Sequence, residues 1–310
     1  MIIALASRKG GVGKTTTAVN LAAALARRGR RTLLVDLDPQ ASCSRSMGLA
    51  RSELAPSIAD VLMCNSSLER VIRRTALEEL DLVTSSTDLN SLEESLATFD
   101  AREMVLSNRL DPWNEVYDYI FIDCPAGLSL LTRAALVAAD SFMVPLVPQF
   151  LALEGLGNLI SAAERLNFKN SSRLGFLGVL LTMVDYRTRL TRDVIEQIRT
   201  EHGERVFAVE VRINVRLAEA PAFGKTIFEY DGNCVGAKAY DLVAQELVMR
   251  TQPDASFEGH ALPEETVDAD PVAITRAADP IDLVEPAANE EPAREDSPLA
   301  ARLYAVARHR

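Results

Sequence analysis

The chain has 310 residues, of which 48% are hydrophobic and 25% are charged, so it can form one large α/β domain or two smaller ones with a packed core. No uninterrupted apolar run approaches about 18 residues, and no membrane-spanning helix is therefore expected. An apolar run begins at residue 2, so we expect neither a signal peptide nor a DNA-binding domain ahead of it. The widely spaced cysteines, without C-x-x-C pairs, are typical of reduced and mostly structural thiols in a cytoplasmic protein. They are Cys43, Cys64, Cys124 and Cys234.

The net charge of −11 belongs to one segment rather than to the whole chain. Residues 252–298 contain 13 acidic residues against Arg276 and Arg294, while the rest of the chain has 31 acidic and 31 basic residues. Pro, Ala, Asp and Glu dominate this segment and no period holds, so we predict a disordered acidic extension. Residues 299–310 alternate basic and apolar side chains and predict a short basic amphipathic helix.

Residues 7–17, Ser-Arg-Lys-Gly-Gly-Val-Gly-Lys-Thr-Thr-Thr, form a glycine-rich turn between two predicted elements. The apolar run Ile2–Ala6 before it predicts a buried strand, and the spacing of apolar residues over Thr16–Arg28 predicts a helix. Glycines let the backbone N–H groups point inward, and the helix dipole adds positive charge where phosphates would lie. Lys14 is placed to reach the β- and γ-phosphates, and the Thr15 hydroxyl to ligate Mg²⁺.

A lysine at position 9 distinguishes this turn from the usual phosphate-binding motif. The pattern G-x-x-x-x-G-K-[ST] requires a glycine where this chain has Arg8, and K-G-G-V-G-K-T stands here instead. This form resembles the deviant Walker A motif of the ParA/MinD family of ATPases. The resemblance implies a P-loop fold in which Lys9 reaches across a dimer interface to the partner subunit's nucleotide and acts with Lys14 in catalysis. The implied nucleotide contacts of the loop are Lys9, Gly10, Gly11, Val12, Gly13, Lys14, Thr15 and Thr16.

A pair of aspartates ends the second predicted strand, Arg31–Asp38, and is followed by Pro-Gln. Carboxylates at the C-terminal ends of parallel strands lie where open α/β sheets bind their ligands. The D-x-D-P-Q run resembles the first switch of ParA proteins rather than the D-x-D-x-G form usual in MinD. The resemblance implies that Asp38 positions or activates the attacking water and that Asp36 lies nearer the metal. The alternative is an acid pair that only caps the following turn.

The apolar run Tyr119–Asp123 predicts another strand ending in an acid, which is the Walker B arrangement. Asp123 would hold Mg²⁺, together with Thr15 and Asp36. The family usually continues D-C-P-P, whereas this chain has Ala126 in place of the second proline. Cys124 is interpreted as a structural residue rather than an iron–sulfur ligand, because no second cysteine has a matching context.

Three further runs resemble the base-binding side of ParA proteins. The predicted strand at 141–148 leads into Gln149, where an acid is common in the family, and then into a helix that ends near Asn167. The predicted strand at 174–182 has an end that lies near the base in relatives. The run R-I-N-V-R-L-A-E-A-P at 212–221 resembles P-R-N-V-R-L-S-E-A-P, with two departures at its start, so adenine recognition is expected to differ in detail. The implied nucleotide contacts outside the glycine-rich turn are Pro148, Thr182, Met183, Ile213 and Asn214.

The remaining predicted elements complete an alternation of strands and helices. Helices are predicted at 57–62, 89–110, from the 185–192 run to about 202, and 236–250; strands are predicted at 80–86 and 207–211; Trp113 is predicted to be a packing residue. The alternation predicts one doubly wound, mostly parallel α/β sheet over residues 1–250. The predicted domain organisation is an ATPase domain at 1–250, an acidic tail at 251–298 and a helix at 299–310.

The predicted chemistry is Mg²⁺-dependent hydrolysis of ATP, because the sequence supplies a phosphate cradle, metal carboxylates and a water-positioning acid. The resemblance implies a switch: ATP drives homodimerisation, the dimer binds DNA without sequence preference, and a ParB-like partner stimulates hydrolysis. The protein is then expected in the cytoplasm, on the nucleoid when ATP is bound. DNA contacts are predicted at Arg187, Arg189, Arg192, Arg212, Arg216 and Lys225, with a solvated, ion-paired helix face as the alternative for the first three.

Two other functions stay open from the sequence. One is a membrane-surface ATPase of the MinD or flagellar-placement kind, anchored by residues 299–310. The DNA-branch motifs argue against it, and twelve residues with several alanines bury little apolar area, so a membrane partner is not expected. The other is a ParA-like positioning ATPase whose tail binds an adaptor protein and whose cargo is a protein assembly.

Overall fold

The described residues of the chain form one eight-stranded sheet. The computed structural model describes residues 1–63, 66–96, 102–150, 152–170 and 174–252. The strands are Ile2–Leu5 (β1), Thr32–Asp36 (β2), Ile72–Arg74 (β3), Leu80–Val83 (β4), Tyr119–Asp123 (β5), Ser141–Leu146 (β6), Gly175–Val184 (β7) and Val211–Arg212 (β8). Cys64 and most of the predicted tail, including the helix predicted at 299–310, lie outside the described residues.

Helices connect these strands. They are Lys14–Ala26 (α1), Ser42–Ser46 (α2), Ile58–Leu62 (α3), Leu68–Val71 (α4), Asp88–Leu96 (α5), Ser107–Leu110 (α6), Leu130–Ala138 (α7), Ala152–Asn170 (α8), Arg189–His202 (α9), Val215–Glu219 (α10), Ile227–Asp231 (α11) and Val235–Thr251 (α12). Short 3₁₀ turns lie at Arg51–Glu53, Arg102–Met104, Asp111–Trp113, Gly203–Arg205 and Ala220–Phe223.

The spatial order of the strands is β3-β4-β2-β5-β1-β6-β7-β8, and every described pairing is parallel except that of β3 with β4. The predicted doubly wound, mostly parallel sheet is confirmed. The register pairs Leu5 with Asp123 and Asp36 with Asp123. The C-terminal ends of β1, β2 and β5 therefore finish side by side, which brings the residues that follow them to one edge of the sheet.

Both faces of the sheet are covered, which explains why its strands are apolar at nearly every position. Side chains alternate between faces: Ile2 and Ala4 belong to one buried cluster, while Ile3 and Leu5 belong to the other. Helices α1 and α12 pack on the second face, and α7 and α8 pack on the first. The loop that follows β1 is thereby held between a buried strand and a buried helix.

The strand predicted at 207–211 is wrong in most of its length, since only Val211 and Arg212 form β8. The Glu246 carboxylate accepts hydrogen bonds from the backbone N–H groups of Ala208 and Val209, at 3.0 and 3.3 Å. Those donors are satisfied by a side chain of α12, so the backbone does not need a strand partner there. A pattern of apolar residues cannot reveal such a distant acceptor.

The single continuous helix predicted at 89–110 is also wrong, because a 3₁₀ turn lies at Arg102–Met104 and α6 begins only at Ser107. The reason is visible at Glu103, which is 4% exposed and forms ion pairs with Lys169 and Arg133. The side chain that faces the core here is therefore the charged Glu103 and not the apolar Met104, which is 37% exposed. The apolar spacing that predicted one continuous helix is broken at this point.

The other elements match their predictions more closely. Helix α3 begins after Ser57, whose hydroxyl accepts a hydrogen bond from the Ala59 N–H at 3.2 Å, as expected of an N-cap. Trp113 is partly buried and packs against the first core, with its ring centroid 6.1 Å from that of Tyr117. The antiparallel edge strand β3 was missed, because three residues with two arginines carry no strand signal.

Candidate active site

The glycine-rich turn after β1 has the geometry of an anion cradle. Gly11 and Gly13 have φ values of +71° and +81°, which lie in the left-handed region that favours glycine. Gly13 directly precedes α1, whose first turn contains no acidic residue. The open end of this helix therefore presents its N–H groups and dipole to the turn without a side-chain anion in competition. Lys14 is 8% exposed at the base of the turn.

A hydroxyl and two carboxylates meet where β1, β2 and β5 end. The Thr15 hydroxyl donates a hydrogen bond to Asp123 Oδ2 at 2.7 Å, which joins the start of α1 to the end of β5. Asp36 is fully buried, and its Oδ2 accepts hydrogen bonds from both the N–H and the hydroxyl of Ser44, each at 2.7 Å. Ser44 lies in α2 and was not identified from the sequence.

The carboxylate of Asp123 has one oxygen without a partner. Its Oδ1 is buried and accepts no hydrogen bond within the described part of the chain. Burial raises the pKa of Asp123, and the charge of Asp36 raises it further, against the hydrogen bond from Thr15 and the charge of Lys14. Burial also raises the pKa of Asp36, against the hydrogen bonds from Ser44. An unpartnered carboxylate oxygen and a hydroxyl beside it are hard oxygen donors and fit Mg²⁺.

Asp38 lies just beyond the end of β2 and is half-buried. Its Oδ1 accepts a hydrogen bond from the Gln40 N–H at 2.9 Å, and its backbone oxygen accepts one from the Ser85 hydroxyl at 2.6 Å. Its own N–H donates to Asp36 Oδ1 at 3.2 Å. The turn-capping contact considered as an alternative is thus present, and the catalytic role of Asp38 stays a prediction.

A cavity of about 280 Å³ opens beside the turn. It brings together four of the five nucleotide contacts predicted outside the turn with Gly13 and Thr16, and Pro148 is not among the residues that line it. Met183, at its wall, has a φ of +49°, and the Thr182 hydroxyl donates to the Val12 backbone oxygen at 2.9 Å. The predicted lining residues are Thr182, Met183, Ile213 and Asn214, and the others are Val211, Arg212, Leu217, Ala218 and Tyr240.

Tyr240 is the lining residue that sequence reasoning missed most clearly. It lies in α12, more than 200 residues from the turn, and its hydroxyl is 3.1 Å from the Thr17 hydroxyl of α1. No local motif surrounds it. Only the packing of α12 against α1 places it at the cavity.

Lys9 is exposed at the outer part of the turn. Its Nζ donates a hydrogen bond to Oε1 of Gln149, the residue that stands where relatives commonly have an acid. The single chain therefore holds this lysine against its own loop after β6.

The predicted DNA-contacting arginines are largely engaged by other groups. Arg187 pairs with Asp185 at 2.6 Å and Arg189 with Asp193 at 3.8 Å. Arg192 donates to the Tyr186 backbone oxygen at 3.0 Å, and the Arg212 guanidinium lies 5.3 Å from the centre of the Tyr186 ring. Arg216 pairs with Glu219 at 3.1 Å and Asp231 at 3.5 Å, whereas Lys225 forms no ion pair within the described residues.

Comparison with known proteins decides the family. Residues 1–175 match the family model described as an AAA domain. The chain is 41% identical over 251 residues to the chromosome partitioning protein ParA of Caulobacter vibrioides, covering 80% of this chain and 94% of that protein. It is 40% identical to the sporulation initiation inhibitor protein Soj of Bacillus subtilis, covering 79% and 97%. The chain belongs to the ParA/Soj family of partitioning ATPases.

A solved structure supports the same fold for this ParA-type chain. Cobyrinic acid a,c-diamide synthase from Mycobacterium smegmatis, with bound ADP and magnesium, superposes with a TM-score of 0.71 at 30% identity and covers 84% of this chain and 99% of that one. The chain is thus an ATPase of the partitioning or positioning kind. No described helix is both long and apolar enough to cross a bilayer.

Proposed function

We propose that this ParA-type protein binds ATP and Mg²⁺ between two copies of itself and that the resulting dimer binds DNA without sequence preference. A ParB-like partner then stimulates hydrolysis and releases the DNA, so that the cycle partitions or positions a cargo. The observation that supports the nucleotide site best is the meeting of Lys14, Thr15, Asp36 and Asp123 at the ends of β1, β2 and β5.

Each part of ATP has a matching part of the site. The turn at residues 9–16 receives the phosphates through its backbone N–H groups, and Lys14 neutralises charge at the β- and γ-phosphates. The cavity beside Gly13 receives the base, with Thr182, Met183, Ile213 and Asn214 as its walls. Pro148 stays a predicted contact. In this proposal the γ-phosphate lies next to Asp36 and Asp123.

The metal ligands proposed from the chain are Thr15 and Asp123, with Asp36 close behind. When bound, Mg²⁺ neutralises charge that develops on the phosphate oxygens. The hydroxyl of Thr15 now donates to Asp123 Oδ2, and both oxygen atoms can turn toward a cation. Ser44 keeps Asp36 oriented through two hydrogen bonds. Asp38 orients the water that attacks the γ-phosphate.

Lys9 is proposed to act on the nucleotide of the other subunit. Its exposure at the outer part of the turn supports that assignment, because an exposed side chain held by a surface hydrogen bond to Gln149 can be reached by a second copy. In the dimer it exchanges Gln149 for a phosphate oxygen.

Mixing two inactive variants tests this arrangement. Lys9→Ala and Asp38→Ala are each expected to lose turnover, while the Asp38→Ala protein still binds ATP and forms a dimer by light scattering. In a mixed dimer, the site with an intact Asp38 receives Lys9 from the other subunit, so phosphate release should partly return. A mixture as inactive as its components would contradict the shared site, as would a monomer at saturating ATP and Mg²⁺.

The two remaining functions differ from this proposal in the partner that the protein binds, which is a membrane or an adaptor protein. The membrane-surface alternative depends on residues 299–310, and the adaptor alternative depends on the tail, both outside the described residues. Flotation of the Asp38→Ala protein with anionic vesicles and ATP tests the first, and a mobility shift on duplex DNA tests the proposal. A protein that floats with vesicles and leaves DNA unshifted would favour the membrane function.

A further inference from the structure

An open groove of about 760 Å³ lies on the surface between residues 42–51 and residues 221–224. One wall is formed by α2 and the residues after it, up to Arg51, and the other by residues 221–224. The groove is distinct from the base cavity, with which it shares no lining residue. None of the basic residues on its walls was identified from the sequence.

The groove carries unneutralised positive charge. Arg45 and Arg51 line it, both are exposed, and neither forms an ion pair or side-chain hydrogen bond within the described residues. No acidic side chain is among the described residues that line it. Lys225 follows the other wall directly and is likewise exposed without an ion pair in the described chain. These cations contrast with Arg187 and Arg216, whose guanidinium groups are already paired with carboxylates.

The walls also offer groups that suit a sugar–phosphate chain. Ser42 and Ser46 line the groove. The Ser46 hydroxyl donates its proton to the Ser42 backbone oxygen at 2.7 Å, so of the two hydroxyls it is that of Ser42 that can donate to a phosphate oxygen, which only accepts hydrogen bonds. Phe223 is 63% exposed on the opposite wall, with its ring stacked 5.1 Å from that of Tyr230. Guanidinium groups bind phosphate oxygens through paired N–H donors, and an apolar ring edge can lie against the sugar.

The two walls are fixed to each other at Gly48 and Gly224. Both residues have positive φ values, +91° and +63°, and a Cβ atom on Gly224 would lie 2.4 Å from the Gly48 Cα. Only glycine permits so close an approach of the two backbones. The spacing between Arg45 and the 221–224 wall is therefore set before any ligand arrives, which lowers the ordering cost of binding.

We infer that this groove is a docking site for the phosphate backbone of duplex DNA, with Arg45 and Arg51 as phosphate contacts and Lys225 at its edge. The inference rests on the proposed DNA binding and assigns it a surface. Charge complementarity selects the ligand: the groove presents cations with no acid on its lining, and a phosphodiester chain supplies regularly spaced anions. Because phosphate contacts carry no sequence information, we also expect the groove to bind duplexes of different sequence equally well.

The test compares two double variants in a full-length Asp38→Ala background, with ATP, Mg²⁺ and a duplex of arbitrary sequence. Arg45→Gln/Arg51→Gln removes the groove cations. Arg70→Gln/Arg165→Gln removes two exposed arginines from α4 and α8, whose helices pack on the other face of the sheet. ATP binding and circular dichroism confirm that all proteins are folded. The dissociation constant is measured over a series of salt concentrations.

We expect the groove variant to bind DNA more weakly and its slope of log K against log salt to become shallower by about 2 for each subunit whose groove contacts the duplex, since each lost phosphate contact removes about 0.9. The control variant should keep the slope of its parent. If both double variants bind DNA equally, the groove assignment is overturned while DNA binding stands. If the parent itself binds no DNA with ATP, the proposed function fails and takes the groove with it. Loss of anionic-vesicle binding alone would assign the groove to lipid and also overturn the inference.

Discussion

The buried end of the nucleotide site and the exposed surface around it differ in how their charged groups are held. At the buried end, Thr15, Asp36 and Asp123 come from three segments, yet the register of β2 and β5 fixes their meeting point. On the surface, Arg187 and Arg216 were predicted to contact DNA, but both are paired with nearby acidic residues. A buried charge is thus located by the fold, whereas the availability of an exposed one depends on its neighbours.

The largest expected effect comes from the buried end. Lys14→Ala removes the charge that faces the phosphates, so phosphate release should fall by about 10²- to 10³-fold or more, with loss of ATP binding in calorimetry. The matched control is Arg8→Ala, which removes an exposed charge from the same turn and should keep most of the turnover. Equal losses in both variants would show that the turn works through its overall charge rather than through a placed ammonium group.

The substitution Asp123→Asn, also at the buried end of the site, is expected to change turnover and stability in opposite directions. Turnover should be lost, while the free energy of unfolding of the metal-free protein should rise by about 1–3 kcal/mol, because the neutral amide removes a buried negative charge that faces Asp36. Chemical denaturation in the presence of EDTA measures the change.

The pH dependence of that stability has a definite sign. Burial holds the pKa of Asp123 above its ordinary value, so the folded state retains a proton that the unfolded state releases. The penalty is absent below the ordinary carboxyl pKa near 4 and grows as the pH rises through the raised one. The metal-free parent should lose stability over that range and Asp123→Asn should lose less. Parallel curves for the two proteins would contradict the assignment.

A close backbone contact affects stability rather than turnover. Gly224→Ala places a methyl group against Gly48 at a positive φ, so the free energy of unfolding should fall by at least about 2 kcal/mol. Gly157→Ala serves as the control, because it lies inside α8 with nothing within 4 Å of the added Cβ and should stabilise the protein by about 0.5–1 kcal/mol. Denaturation midpoints measure both changes, and equal shifts would mean that the two walls are not in contact.

The smallest expected effect concerns single basic residues on the surface, one without an ion pair in the described chain and one with an acidic neighbour. Lys225→Gln should lower the salt slope of ATP-dependent DNA binding by about 1. Arg189→Gln should lower it less, because Asp193 already lies 3.8 Å from the Arg189 guanidinium. Fluorescence anisotropy over a salt series measures both slopes. A larger change for Arg189 would restore the surface expected from the sequence.

The parts of the site that the sequence predicted are those where the chemistry is local. The glycine-rich turn and the aspartates that end β2 and β5 carry their signal within a few residues. Ser44 and Tyr240 could not be predicted, because their roles come from contacts with Asp36 and Thr17 that only the folded chain creates. The fold follows the same division. The long buried strands were predicted, while Glu246 and Glu103 overturned a strand and a helix through distant partners.

The hydrogen bond between Lys9 and Gln149 has a consequence for assembly. A lysine that already has a partner within its own chain does not sit in solvent awaiting a second molecule. In the proposed dimer, Lys9 exchanges its contact with Gln149 for one with a triphosphate, and the gain is the difference in strength between an amide and a triphosphate as acceptor. On that proposal, an encounter without a nucleotide offers Lys9 no such gain, so the contact with Gln149 would oppose dimerisation before ATP binds.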